Sequence, residues 1–483
     1  MGCKRRTLKT TYQNTNPSLR AGVWFAVCNF LQKGIAMLSL PIFTRLLTME
    51  EYGQLTIYQS WHTLLALFVT LNLSGSVINN GMVKYEQDRD GFLSSVQLLA
   101  TAVTAMFLAV YLLWADVWNR VFELTTPLML IMFAQFLFEP AYQMWLQRNR
   151  FTFQYKRAVA VTLLVSLASP LLGVALVLAA QDKALARILA YALVQIAVGG
   201  VIYAVQLRKG KKLFVKEYWK FALVFNLPLI PHYLSQHILG QADRIMISRM
   251  VGSAEAAIYG VSGTVGTAIS LLVNAINSSF VPTLYQNMKA GEYASIRRSS
   301  SLICGFMAAM TCVMMLLAPE MVLILAGREY AQAVYVIPPI TASVFFTFVY
   351  TLFINIEFYF EQTRYTMYIS VVCALLNLVL NYLLIPAFGY VAAGYTTLFC
   401  FLLFAVGHYL LSALLLKKHQ VPEAVFDRKV IQRLGILVLI CTVVMSLLYS
   451  LPVLRLGLLA GCCLAAFWKR KALAAFLGSI LKR

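Results

Sequence analysis

Fourteen long apolar runs joined by short polar connections restrict this chain to a lipid bilayer. They fall near residues 22–46, 55–80, 92–115, 122–146, 158–180, 184–207, 221–250, 256–287, 297–318, 331–360, 365–386, 390–416, 433–450 and 453–468. A transmembrane helix needs roughly 20 apolar residues, and most of these runs supply them. The runs are continuous rather than alternating, which excludes a transmembrane β-barrel. Of the 483 residues, 60% are hydrophobic and 12% charged. Soluble domains are about 45–50% apolar and about 25% charged. Too little polar surface remains to cover a water-facing core, so soluble enzymes and soluble nucleic-acid binders are ruled out despite a net charge of +21. The expected fold is an all-α polytopic membrane protein with about fourteen spans.

The charges follow the same map. With the N-terminus placed in the cytoplasm, 31 of the 40 Lys and Arg residues fall in segments on the inner side. That bias alternates from connection to connection, as the positive-inside rule requires. It places both termini of a multi-pass membrane protein in the cytoplasm. The basic stretch Arg208-Lys209-Gly210-Lys211-Lys212 then reads as a topology signal with attraction for anionic lipid, not as a nucleic-acid site.

A weak internal repeat divides the chain. Arg45 and Glu51 recur as Arg249 and Glu255 at an offset of 204, and Gln32-Lys33 falls on Gln236-His237. Parallel repeats of this kind build transporters whose halves rock against one another. The expected organisation is a basic N-terminus (1–21), a six-helix lobe (22–207), a basic linker (208–220) and a second six-helix lobe (221–416). A cytoplasmic loop (417–432), two extra helices (433–468) and a basic tail (469–483) complete it. The lobes would enclose a central cavity. No connection is long enough to house a catalytic domain, and no GxxxxGK[ST], GxSxG or HExxH pattern occurs. The five histidines lack metal-ligand spacing. No cofactor and no metal are expected.

Ionisable groups inside spans cost roughly 2.5–3.5 kcal/mol each, so they are functional suspects. Lys33 lies mid-span with Gln32 and Asn29 nearby, and reads as a cation lining the cavity. The seventh run is the most polar, with His232, Gln236, His237, Asp243 and Arg244; His232, Gln236 and Asp243 share a helical face. Asp243-Arg244 also reads as an ion pair near the outer interface. Glu139 and Glu357 are candidates for pairing with Lys33 or for carrying a coupling ion. His62 belongs to a polar stripe with Tyr58 and Asn72 on the second run, and Asn274 to one with Thr267, Ser270 and Asn277 on the eighth. The substrate-facing candidates are therefore Lys33, Gln32, Asn29, His62, His237, Gln236 and Asn274. The ion-coupling or structural charges are Glu139, Asp243, Arg244 and Glu357. Glu50-Glu51 reads either as a helix cap or as the acidic pair of a membrane glycosyltransferase.

One stretch carries a family resemblance. Asn377, Asn381, Ile385-Pro386, Gly389, Ala393-Gly394 and Thr396-Thr397 close a span with an N-x-x-L-I-P pattern and open the next. Leu40-Pro41-Ile42-Phe43-Thr44-Arg45, then Glu51-Tyr52-Gly53, Gly81-Met82, Asp243-Arg244 with Gly252 and Glu255, and Phe280-Val281-Pro282 stand in matching order. Together they resemble the polysaccharide-exporting flippases of the multidrug/oligosaccharidyl-lipid/polysaccharide exporter superfamily. Ala257 departs from the glycine usual in the second-half motif. The resemblance implies two six-helix bundles around a cavity. It implies outward flipping of an undecaprenyl-diphosphate-linked oligosaccharide for O-antigen, capsule or exopolysaccharide assembly, alongside polymerase or assembly partners and membrane lipid. Alternatives are a multidrug cation antiporter of the same superfamily, which would favour an acidic, aromatic cavity, and a membrane glycosyltransferase or polymerase.

Overall fold

The computed structural model describes residues 17–360, 363–421 and 424–468. The N-terminal sixteen residues, the tail 469–483 and the side chain of His232 lie outside the described set. Among the described residues there is no strand. Eighteen α-helices follow one another in the described residues: α1 (Pro17–Leu46), α2 (Met49–Val69), α3 (Ser76–Lys84), α4 (Arg89–Leu113), α5 (Ala115–Phe122), α6 (Thr126–Phe151), α7 (Tyr155–Ala179), α8 (Lys183–Gly210) and α9 (Lys216–Asn226). Then come α10 (Ile230–Met250), α11 (Ser253–Ala290), α12 (Tyr293–Leu316), α13 (Ala318–Leu325), α14 (Ile337–Tyr359), α15 (Thr363–Phe388), α16 (Val391–Lys418), α17 (Arg428–Leu448) and α18 (Pro452–Trp468).

Each of the fourteen apolar runs coincides with a helix or a broken pair of helices. The count of fourteen is nonetheless not reached on length and composition. Ten described helices are long and apolar enough to cross a membrane, or eleven when α5 and α6, bent by 90°, count as one. The second and seventh runs fall short because each is interrupted and polar. The last falls short because α18 is brief.

The chain forms two compact units. The first comprises residues up to Gly260 together with Met367–Tyr390, and the second comprises Val261–Thr366 and the chain from Val391 onward. These boundaries differ from those of the lobes drawn at 208–220. In the first unit, Phe43, Tyr58, Met129, Met132, Phe133 and Phe136 form one core cluster. Leu73, Val77, Met82, Phe92 and Leu93 form another. In the second unit, α14 is the most enclosed span; its Phe345, Phe348 and Leu352 pack with Phe280, Met307 and Val438.

Local chemistry explains several ends. Thr48 and Glu51 form a reciprocal capping box at the start of α2, with Glu51 N–H bonded to Thr48 Oγ1 at 3.2 Å and Thr48 N–H to Glu51 at 2.8 Å. Two residues on, Gly53 is pressed against the start of α11. A Cβ there would stand 2.0 Å from the Ser253 carbonyl oxygen, so only glycine permits the approach. The motif Glu51-Tyr52-Gly53 is thus a helix start followed by a close crossing. At the other end of the first unit, Asp88 caps α4 through the Gly91 N–H. It also accepts from Lys212 at 2.7 Å and from the Tyr218 hydroxyl at 2.6 Å, tying the basic linker to α4.

Candidate functional site

The candidate site begins where a helix stops. The second run is not one span: α2 ends at Val69, α3 begins at Ser76, and Leu71 and Asn72 both take φ of +48°. Left-handed backbone costs a side-chain-bearing residue about 1–2 kcal/mol, so something must hold it. Unwound backbone at membrane depth persists only when protein or a polar cavity satisfies its freed groups. Here Thr104 donates to the Val69 carbonyl at 3.2 Å, Thr70 to the Ala66 carbonyl at 2.7 Å, and Asn226 to the Leu71 carbonyl. Asn226 is the last residue of α9, where the seventh run is itself broken. A short 3₁₀ turn, Leu227–Leu229, precedes α10, with Pro228 and Pro231 at the junction. The breaks of two spans are thereby joined by one side chain. In α6, Pro140 lies within the helix directly after Glu139.

These irregular helices enclose a polar pocket of about 350 Å³ in the first unit. The α2 end of its wall supplies His62, Thr63 and Thr70, and the break supplies Asn72, Ser74 and Gly75. Helix α6 supplies Glu139, Gln143 and Gln147, and α10 supplies His237. His62 Nε2 lies 3.3 Å from Glu139 Oε2. Below them, Tyr58 donates to Gln135 at 2.6 Å, Gln135 to Gln195 at 3.3 Å, and Gln195 to the Tyr191 hydroxyl at 2.6 Å. This buried chain fixes the helices that carry the pocket wall.

The structure thus gathers His62, Glu139 and His237 from three spans. It does not bring Lys33, Gln32 or Asn29 to this pocket; all three are exposed on α1. Gln236 is half-buried on α10 outside the pocket, and Asn274 is exposed on the part of α11 in the second unit. Glu139 meets His62 rather than Lys33. Gln143 and Gln147 escaped the sequence reading, although a signal was present: residues 139, 143 and 147 recur every four positions, one face of a helix.

Asp243 and Arg244 part company. Asp243 is 3% exposed and accepts from the Tyr259 hydroxyl at 2.5 Å and from Asn381 at 2.6 Å. Asn381 also bonds Asn377 at 3.3 Å. Arg244 instead donates to Gln241 at 3.0 Å, and Gln241 accepts from Ser60 at 3.2 Å. Arg249 pairs with Glu123 at 3.2 Å. In the second unit Glu357 and His408 are fully buried, with Nδ1 to Oε1 at 2.7 Å, and Thr366 donates to the other Glu357 oxygen at 2.6 Å. Among the described residues, no three His, Cys, Asp or Glu side chains gather as a metal site.

Transporters commonly place binding sites at breaks in their helices, and this pocket of histidine, carboxylate and amides lies at such breaks. The family description "Polysaccharide biosynthesis protein" matches residues 18–288. The chain belongs to that family. A second family description, MatE, matches residues 228–383. A Haemophilus influenzae "Uncharacterized membrane protein" is 24% identical over 359 residues, 72% of this chain and 85% of its own length. The "Lsg locus putative protein 1" of the same organism is 23% identical over 351 residues, 71% and 85% respectively. Among solved structures, a lipid II flippase MurJ in an inward closed conformation superposes with a TM-score of 0.66 at 11% identity, covering 93% of this chain and all of its own. An inward-facing multidrug resistance MATE family transporter gives 0.62 at 11% identity, covering 83% and 96%. The two family matches place the chain in the exporter superfamily, and the likenesses to solved structures show its fold. The solved structures it resembles are a flippase and a transporter, and the chain is a multi-pass membrane protein of the polysaccharide biosynthesis family. The capping box accounts for Glu51 without catalysis.

Proposed function

We propose that the protein carries a polyprenyl-diphosphate-linked oligosaccharide from the cytoplasmic to the outer leaflet of a bacterial inner membrane. The product would feed cell-surface polysaccharide assembly (O-antigen, capsule or exopolysaccharide) by downstream polymerase partners. The observation that carries this reading is the polar pocket at the helix breaks of the first unit. A sugar headgroup cannot enter hydrocarbon without losing its hydrogen bonds to water, and the pocket's amides, hydroxyls and carboxylate replace them. Alternating access between the lobes 22–207 and 221–416 would present the pocket to each side in turn, with both termini in the cytoplasm. The lipid tail would remain in the bilayer. Lys33, exposed on α1, is the candidate contact for the diphosphate. A headgroup of charge near −2 gains roughly 4–5 kcal/mol in moving outward across 100 mV, so voltage can bias export without ATP. Asp243, held by Tyr259 and Asn381, is the candidate for coupling to H⁺ or Na⁺.

Reconstituted vesicles test the reading. A labelled polyprenyl-diphosphate oligosaccharide becomes accessible to an added glycosidase at a protein-dependent rate that responds to an imposed potential. Absence of exposure from folded protein, with the host's own glycan lipid, sinks it. One observation favours a second reading. Among the described residues the pocket is lined by a carboxylate and by no Lys or Arg, as a multidrug cation antiporter would require. Drug-resistance profiling of a deletion strain separates the two: sensitisation to lipophilic cations with intact surface polysaccharide supports the antiporter.

A further inference from the structure

The composition of the pocket wall points to selection among sugars by charge. We propose that the pocket at the α2 break is a monosaccharide subsite that accepts neutral or amino sugars and excludes carboxylated and sulfated ones. This rests on the reading that the cargo is a lipid-linked glycan.

Among the described residues the pocket is lined by one carboxylate, Glu139, and by no Lys or Arg. Recognition of an anionic sugar calls for charge-assisted donors, ideally a guanidinium fork, and here that partner is missing. A second carboxylate about 5 Å from Glu139 is disfavoured on the order of a hundredfold at an effective dielectric near 20. The rest of the wall suits hydroxyls. Asn72, Gln143 and Gln147 each offer both a donor and an acceptor, as a sugar hydroxyl does. Beside Glu139, His62 Nε2 is enclosed and makes no aligned hydrogen bond, although it stands 3.3 Å from the carboxylate oxygen. A guest hydroxyl placed there donates to the carboxylate and, when Nε2 carries the proton, accepts from the imidazole. The ammonium of an amino sugar would pair with Glu139 directly. The volume fits a single ring. At about 350 Å³ the pocket holds about a dozen waters' worth of space, close to the heavy-atom count of one hexose.

The test separates binding from transport. Full-length protein in nanodiscs is photolabelled with a polyprenyl-diphosphate disaccharide carrying a diazirine on a terminal N-acetylglucosamine, and the modified peptides are mapped. Labelling is expected on α2, α6 and the start of α10. An unlabelled glucose-terminated competitor should displace the probe at least about tenfold better than its glucuronic-acid twin. Glu139→Gln, which keeps the shape and the hydrogen bonding, should bring the two competitors to within about threefold. Equal competition in the native protein, or labelling elsewhere, overturns the subsite. Displacement by a lipophilic quaternary cation but by neither glycan also overturns it and assigns the pocket to drugs. Labelling with the expected preference but no flipping in vesicles leaves the subsite standing and refutes the flippase reading instead.

Discussion

Asn226 offers the sharpest test of how the pocket is held open. The side chain is 1% exposed and its amide nitrogen donates to the Leu71 carbonyl, the group freed where α2 unwinds. Asn226→Leu conserves volume and strands that carbonyl. A buried acceptor left without a partner costs about 1–3 kcal/mol. The substitution also removes the enclosed Asn226 Oδ1, which has no partner of its own, so the net loss should sit near 1–2 kcal/mol. Asn226→Asp should cost more, because it turns a carboxylate oxygen toward the carbonyl. The loss is local, and native-state hydrogen exchange reads it. Protection of the amides of Leu73, Gly75 and Ile78, which bond to Thr70, Asn72 and Gly75, should fall about 5- to 30-fold at about 1.4 kcal/mol per decade. Peptides from α7, in the same unit, should exchange as before. Unchanged protection around residues 70–78 in the Leu variant would refute the claim that Asn226 holds the break. A uniform loss that includes α7 would show instead that the side chain supports the whole unit.

Three further outcomes are expected. Asp243→Asn removes the carboxyl group while leaving an acceptor for Asn381, with the Tyr259 hydroxyl turned to accept from the new amide; dependence of export on a Na⁺ or pH gradient should fall by about tenfold, and an unaltered gradient dependence at fixed voltage excludes Asp243 as the coupling group. Lys33→Ala should slow export of a diphosphate-linked glycan without lowering the protein's abundance, and normal export removes Lys33 from the site. Arg455, 5% exposed, bonds both Glu320 oxygens, at 2.5 and 2.6 Å, and the Leu316 carbonyl at 2.9 Å. The hydrogen bonds from Arg455 hold the Glu320 carboxyl below the usual range, against the upward pull of burial. A depressed folded-state value means that the stabilisation is present above the unfolded pKa of about 4.3 and is lost as pH falls through the lower folded value. Glu320 is partly exposed, with 38% of its side chain accessible, so solvent screening reduces the effect. Thermal stability of the wild type in detergent should drop on acidification below about pH 4.3 by more than that of Glu320→Gln; parallel curves would show that the pair contributes nothing.

The helices were legible because crossing a bilayer imposes length and hydropathy on each segment independently, and those are local properties. The site was legible only in part, and the difference is physical. A hydropathy run reveals that Lys33 is a cation among apolar residues but not which face of α1 it occupies, and the exposed face is where it lies. Glu139, Gln143 and Gln147 were readable in principle from their four-residue spacing, because a helix turns that period into a stripe. The break of the seventh run was marked by Pro228 and Pro231, whose chemistry interrupts a helix wherever they stand. The break of the second run carries no such mark. Leu71-Asn72-Leu73-Ser74-Gly75 has no proline, and two of its side-chain-bearing residues adopt backbone that L-residues avoid.

What stabilises that second break is remote. Thr104 lies 35 positions from Val69 and Asn226 lies 155 from Leu71, so no window along the chain contains both the break and its partners. The same separation explains why polar residues concentrate there. Each turn of helix given up in a bilayer exposes carbonyl and amide groups that water cannot reach, and only polar side chains from other spans can satisfy them. Polar groups of other helices, Glu139, Gln143 and His237 among them, line the pocket beside that break. The pocket and the irregular backbone therefore adjoin: the unwound segment supplies Asn72, Ser74 and Gly75 to the wall, and Thr70, which bonds the end of α2, lines it too, so the break itself furnishes part of the surface on which, in the proposed reading, a hydroxyl-rich headgroup would exchange its water.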